Sequence, residues 1–156
     1  MLAHTFATSL GRITVTSDGD VITSVRFGGG DEGEQSDVPI LMEAESQIRE
    51  YLNGSRREFD LPLVDIAPGF YRDVYGAMSS IPYGSVRTYG QLADDAGYPR
   101  AARAVGTACR RNPLAIVVPC HRIVPASGGI GKYSGPDGVK AALLELESEQ
   151  VPDAGR

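Results

Sequence analysis

The apolar positions of this chain follow two rhythms. Early on they alternate with polar ones, so residues 3–8, 12–17 and 21–27 each read as a short strand. Thr14, Val15, Thr16, Val21, Ile22, Val25 and Phe27 are β-prone, and Asp18-Gly19-Asp20 suits a tight hairpin turn. Gly28 to Asp37 is glycine-rich and acidic, which predicts a solvated loop. Ile40, Leu41, Ala44, Ile48, Tyr51 and Leu52 recur at helical spacing, with Gly54 as the stop. Phe59, Leu61 and Leu63 alternate like one more strand, and Asp65 to Gly69, containing Pro68, reads as a boundary.

Beyond that boundary the rhythm is helical. Phe70, Val74, Ala77, Met78 and Ile81 form one apolar face, ended by Pro82-Tyr83-Gly84. Thr88-Tyr89-Gly90-Gln91 fits a capping box, which predicts a helix from Tyr89 to Ala96 that stops at Gly97. Pro99 suits the first turn of the next helix, which is predicted to run to about Arg111 before Asn112-Pro113 ends it. Two short helices joined at Gly97-Tyr98 read as a helix-turn-helix. Residues 125–138 form a glycine-rich loop, and Val139, Leu143 and Leu146 mark a last helix ending near Glu147. The predicted fold class is therefore α+β. A small strand-rich N-terminal domain (1–65, structural) precedes a helical DNA-binding and catalytic domain (66–150) with a helix-turn-helix, and 151–156 are a tail.

Composition narrows the function classes. The 156 residues are 42% hydrophobic and 22% charged, as in a soluble globular protein. No run approaches the roughly 18 apolar residues of a membrane span, so no membrane partner is expected. Met1 to Ser9 lack a basic start and a long apolar core, unlike a secretory signal. Two cysteines, Cys109 and Cys120, cannot make a disulfide framework, and with only His4 and His121 no zinc spacing is present. The expected location is the cytoplasm and the expected metal complement is none. The net charge of −5 is unevenly spread: residues 1–69 carry −7 and residues 70–148 carry +3. Residues 100–122 hold five arginines (100, 103, 110, 111 and 122) and no acid. A local patch of one sign sets the local field whatever the total, which keeps nucleic acid open as a partner.

The run Ile116-Val117-Val118-Pro119-Cys120-His121-Arg122-Ile123-Val124 concentrates the chemistry. Its apolar flanks predict a buried segment. Pro119 has no N–H and a fixed φ, so the chain cannot continue there as a regular helix. A thiol on such a turn would sit at the wall of a pocket. A thiolate is the reactive form, and an adjacent imidazole is one way to raise its population. The dipeptide alone equally suits a buried structural cysteine beside a chance histidine. Cys109 reads as structural and His4 as a surface residue.

Pro119-Cys120-His121-Arg122 resembles the signature of the O6-alkylguanine-DNA alkyltransferases. The resemblance extends through Ile81-Pro82-Tyr83-Gly84, Thr88-Tyr89, Ala101-Ala102-Arg103-Ala104-Val105-Gly106, Asn112-Pro113, Ser127-Gly128, Tyr133-Ser134-Gly135 and Leu143-Leu144-Glu145-Leu146-Glu147. It covers residues 70–148 strongly and the first half loosely. It implies single-turnover transfer of an alkyl group from O6-alkylguanine in double-stranded DNA to Cys120, with O4-alkylthymine as a second candidate substrate. It implies a monomer with no cofactor, a helix-turn-helix in the minor groove and a flipped base.

The resemblance also distributes roles. Cys120 would be the acceptor. His121, through a water, and Glu147 would form the relay that deprotonates it. Asn112 would brace the turn carrying Cys120, and Tyr89 would donate to the guanine ring and help rotate the nucleotide. Arg103 would fill the gap left by the flipped base on a helix whose small residues Ala101, Ala102 and Gly106 permit close approach. Arg110 and Arg111, at the helix end, suit phosphate contacts. Tyr133 and Ser134 would belong to the base pocket with Ile123, the Ser134 N–H meeting O6. Ala115 would lie in the approach, where some members of the family have proline. Two readings from other classes stay open. One is a non-catalytic lesion-sensing DNA-binding protein, which would leave Cys120 unalkylated. The other is a Cys–His hydrolase, which would turn over repeatedly without DNA.

Overall fold

The computed structural model describes residues 1–29, 33–133 and 135–151. They fall into two compact units, Met1–Asp65 with Pro113–Val117, and Ile66–Asn112 with residues from Val118 onward.

In the first unit, β1 (Leu2–Thr8), β2 (Gly11–Ser17) and β3 (Ile22–Phe27) form an antiparallel meander. The alternation of side chains explains its core: Ala3 and Phe6 of β1 and Ile13 and Val15 of β2 are buried. Helix α1 (Pro39–Leu52) packs against β1 and β2 and buries Leu41, Ala44, Ile48 and Tyr51 at the predicted spacing. Each of the larger side chains contributes about 2 kcal/mol of apolar burial. The other face of β2 carries Thr14 and Thr16, which are buried but hydrogen-bonded to Thr5 and Ser24 through their hydroxyls at 2.8 and 2.6 Å.

Two expectations change here. The loop predicted over Gly28–Asp37 contains a two-residue strand, β4 (Glu34–Gln35), parallel to β1, so the sheet order is β3-β2-β1-β4. The strand predicted around Leu61 does not form as a regular strand. Residues 62–64 only bridge Ile22, with Ile22 N–H donating to Pro62 O and Val64 N–H donating to Ile22 O. Pro62 has no N–H to continue a ladder, which limits the pairing to one bridge.

Residues 113–117, read from sequence as part of the second domain, pair with β3 instead. Val25 N–H donates to Pro113 O at 2.8 Å and Ala115 N–H donates to Val25 O at 3.1 Å. The physical reason is the sheet edge: β3 is an outer strand, and its main-chain groups need partners.

The second unit holds α2 (Phe70–Ser79), α3 (Tyr89–Asp95), α4 (Ala102–Arg110) and α5 (Val139–Gln150). Helix α2 buries Val74, Tyr75 and Met78, and the Tyr75 hydroxyl donates to Ala108 O of α4 at 2.9 Å. Two short strands, β5 (Arg87–Thr88) and β6 (Ile123–Val124), pair in parallel. Among the described residues no helix is long and apolar enough to cross a membrane.

Candidate active site

The helix-turn-helix is built by local rules. Thr88 caps α3: Gln91 N–H donates to Thr88 Oγ1 at 3.1 Å, and Thr88 N–H donates to Gln91 Oε1 at 2.9 Å. The helix ends in a Schellman arrangement, with Tyr98 N–H on Ala93 O, Gly97 N–H on Asp94 O and Gly97 at φ 89°. Pro99 lies in the turn, not in the first helical turn as predicted. Arg100 takes φ 75° and α4 starts only at Ala102, because a left-handed residue cannot continue a right-handed helix.

Helix α4 buries Val105 and Ala108 and turns its small face toward a cavity of about 1120 Å³. That face supplies Ala102, Arg103, Gly106, Thr107, Cys109 and Arg110 to the lining, and Tyr89, Cys120 and Tyr133 complete its chemistry. Ala101 precedes the helix as its N-cap. Arg103 is exposed, whereas Arg110 folds back to donate to Thr107 Oγ1 at 3.0 Å and Arg111 donates to the Tyr71 hydroxyl at 3.4 Å.

The segment bearing the nucleophile is neither strand nor helix. A γ-turn centred on Ile116 closes through Val117 N–H on Ala115 O, and Ile116 sits at φ 71°, the strained form for a β-branched residue. Next comes an inverse γ-turn: Pro119 has φ −81° and ψ 65°, and Cys120 N–H donates to Val118 O at 2.8 Å. Asn112 Nδ2 also donates to Val118 O at 2.8 Å. This bond joins the two ends of the 113–117 excursion and fixes the turn before Cys120. Cys120 then opens a single 3-10 turn, Cys120–Arg122. The predicted halt at Pro119 is thus two consecutive three-residue turns.

Behind Cys120 lies a buried ion cluster. His121 and Glu147 are 0% and 1% exposed, with Nε2 2.8 Å from Oε2. Arg122 grips the same carboxylate in a fork: Nε donates to Oε1 at 2.8 Å and Nη2 to Oε2 at 2.9 Å, while Nη1 donates to Ile81 O. Gly84 N–H adds a fourth donor at 3.3 Å. Burial by itself would raise the Glu147 pKa. The bonds from His121 and Arg122 outweigh it and hold the carboxyl at about 2. A carboxylate only accepts, so His121 Nε2 carries a proton. Burial drives the His121 pKa down, so the ring is neutral and Nδ1 is its basic nitrogen.

Arg122 therefore does not belong to the surface patch in which its sequence position counts it. It is 7% exposed and its charge is spent on Glu147. Sequence reasoning missed it as a site residue. The available signal was an arginine inside an otherwise apolar run, a charge that burial requires to be paired.

The resting thiol is neutral. Burial raises the Cys120 pKa, opposed by the Asn112 side chain and by Lys140. Tyr89 and Tyr133 are likewise pushed up by burial, so each holds its hydroxyl proton at neutral pH. Cys109, read as structural, shares the cavity with Cys120, and burial raises its thiol to about 12. Such a thiol has roughly 10⁻⁵ of its population ionised at pH 7. Cys109→Ser is therefore expected to retain stoichiometric modification of Cys120. A folded Cys109→Ser protein with an unreactive Cys120 would contradict this assignment.

The remaining expected residues divide. Ile123 is fully buried in β6, and its carbonyl accepts from Lys140 Nζ at 2.6 Å. Ala115 lies in the first unit, on Val25, and is not among the described residues lining the cavity. Ser134 lies outside the described residues.

Comparison with known proteins agrees with this arrangement along the whole chain. The family model described as "6-O-methylguanine DNA methyltransferase, DNA binding domain" matches residues 69–149, and the one described as "6-O-methylguanine DNA methyltransferase, ribonuclease-like domain" matches residues 1–64. The chain is 39% identical over 154 residues to a methylated-DNA–protein-cysteine methyltransferase of Mycobacterium tuberculosis, covering 96% of this chain and 93% of the relative. It is 37% identical over 153 residues to the constitutive methylated-DNA–protein-cysteine methyltransferase of Bacillus subtilis, covering 92% and 93%. The fold superposes on a crystal structure of Mycobacterium tuberculosis OGT in complex with DNA with a TM-score of 0.88 at 37% identity, covering 96% and 94%. With both family domains matched in order and relatives aligned nearly end to end, the chain belongs to the methylated-DNA–protein-cysteine methyltransferase family.

Proposed function

We propose that this chain repairs DNA directly, moving an alkyl group from O6-alkylguanine in duplex DNA to Cys120, once per molecule. The observation that carries the reading is the shared cavity: Cys120 and Tyr89 line it together with Arg103 and the small face of α4. One side offers a nucleophile and a proton donor, and the other offers a cationic surface that a nucleic acid backbone can approach.

The chemistry follows from the groups present. The target is an sp³ carbon bonded to oxygen, so no oxyanion hole is needed. Cys120 loses its proton toward His121, whose neutral ring is oriented by Glu147. The thiolate attacks the carbon, the S–C bond forms and the C–O bond breaks, leaving the electron pair on the guanine. Tyr89 returns a proton to the ring. The thioether has no activated carbonyl, so water does not regenerate the thiol, and the protein is consumed. A Cys–His hydrolase would instead release its acyl group and turn over.

Extruding the base costs a few kcal/mol, less for a damaged pair. Arg103 is the long exposed side chain at the start of α4, and its planar guanidinium can stack where the base has left. All the groups named lie on one chain, so we assign the activity to a monomer acting in the cytoplasm, with residues 1–65 structural and 66–150 catalytic.

The test compares two substrates. Arg103→Ala is expected to slow repair of a lesion in duplex DNA strongly and to leave reaction with a free O6-alkylguanine base nearly unchanged, because the free base needs no extrusion. Equal slowing on both substrates would remove the flipping role and place Arg103 in support of the pocket.

A further inference from the structure

One buried charge is unused by the mechanism above. Lys140, on the first turn of α5, is only 3% exposed. Lysine is almost never buried unless paired, and an ammonium offers three donors and no acceptor. Its Nζ donates to Ile123 O at 2.6 Å and to Lys132 O at 3.2 Å. Both partners are neutral carbonyls, and no carboxylate pairs with it among the described residues. The two carbonyls come from separate walls of the site. Ile123 follows the turn that carries Cys120, and Lys132 belongs to the loop lining the cavity. The loop comes close to the lysine: a Cβ built on Gly131 would lie 3.7 Å from Nζ and 2.9 Å from Pro125 Cδ.

Other ionisable groups around the thiol cannot supply free positive charge. Arg122 is matched by Glu147, and burial keeps His121 neutral. Cys109 of α4, Tyr75 of α2, Tyr89 of α3 and Tyr133 of the loop are neutral acids whose pKa values are raised by burial. Arg110 of α4 is exposed and held on Thr107. Lys140 lies within electrostatic reach of Cys120, Cys109 and His121.

We propose that Lys140 is a positioning residue of the transfer site, whose buried ammonium ties the 131–133 loop to the strand behind Cys120 and acts as counter-charge to the Cys120 thiolate. This rests on the reading of Cys120 as the acceptor. The two groups are coupled: burial lowers the lysine's pKa, the cysteines oppose that, and the lysine in turn eases ionisation of the thiol. His121 then takes the proton from a thiol already favoured to part with it.

The test uses iodoacetamide, whose carbon the Cys120 thiolate attacks with loss of iodide, so it needs neither DNA nor guanine. The rate of Cys120 modification is measured against pH by peptide mass analysis for the full chain and for Lys140→Met, Lys140→Gln and Lys140→Arg. Loss of the charge in the Met and Gln variants raises the thiol pKa further. The profile moves to higher pH, and the rate at neutral pH falls about tenfold for each unit moved. Lys140→Gln keeps a donor without the charge, and Lys140→Arg keeps the charge and the native profile. An unchanged profile in a folded Met or Gln variant overturns the proposal.

A second measurement needs no substitution. The Lys140 Nζ resonance of the native chain is titrated before and after carbamidomethylation of Cys120. With the thiolate gone, the lysine should lose its proton at lower pH, and an unmoved titration overturns the coupling. If the iodoacetamide profiles shift as expected while O6-methylguanine duplex leaves Cys120 unmodified, the lysine assignment stands and the repair function fails.

Discussion

Cys120→Ala is expected to abolish alkyl transfer while leaving DNA binding largely intact. Sulfur is the soft nucleophile that an sp³ carbon requires, and the other thiol in the cavity is held protonated by burial. No oxygen nucleophile in the lining can substitute, since Tyr89 and Tyr133 both keep their protons at neutral pH. The fold should survive, because alanine fits the 3-10 turn and the Asn112 bond goes to Val118 O, not to the removed sulfur. The surface of α4 is untouched. The measurement pairs methyl transfer from labelled duplex with a binding titration on the same duplex. One-to-one transfer by the alanine variant would sink the assignment of the acceptor.

The second large effect is on stability. Arg122→Met should destabilise the protein by about 3–5 kcal/mol, the usual cost of leaving one member of a buried ion pair uncompensated. The substituted side chain matches the arginine stem in apolar bulk but removes three of the donors in the cluster, two to Glu147 and one to Ile81.

The sign of the pH effect follows from Glu147. Its folded pKa of about 2 lies below the ordinary 4.5, so its contribution is present above about 4.5 and is lost as pH falls toward 2. That shift corresponds to roughly 3 kcal/mol. His121 acts in the same direction from a higher pH, because its lowered pKa lets the unfolded chain take up a proton first. In Arg122→Met the carboxyl pKa should rise, and acid destabilisation should begin at higher pH than in the native chain. Denaturant unfolding at several pH values checks both the loss and its window. A variant as stable as the parent at neutral pH would show that the cluster does not hold the site together.

These two predictions mark what the sequence made legible. Cys120 could be read because Pro119 forbids a regular helix and the resemblance fixed its neighbours. The capping box at Thr88 and the stop at Gly97 were legible because both are local, settled within four residues. The start of α4 was not. Pro99 suits a first helical turn, but Arg100 adopts a left-handed conformation that propensity does not announce. The pairing of β5 with β6 joins residues 36 apart in the chain, two residues each, too short to show any alternation. Arg122 and Lys140 were the hardest to place. Along the chain they are ordinary cations, and only tertiary packing brings Glu147 to the first and two carbonyls to the second. Pro113–Val117 shows the same limit: nothing local says that these residues complete the edge of β3.

The central claim is one irreversible transfer to one sulfur, and the most direct test is peptide mass analysis after incubation with a duplex carrying a single O6-methylguanine. The account predicts one methyl group per chain, on Cys120 and nowhere else, an equal amount of restored guanine, and no further reaction when fresh duplex is added. Methyl on another residue, or more guanines restored than chains present, would contradict it.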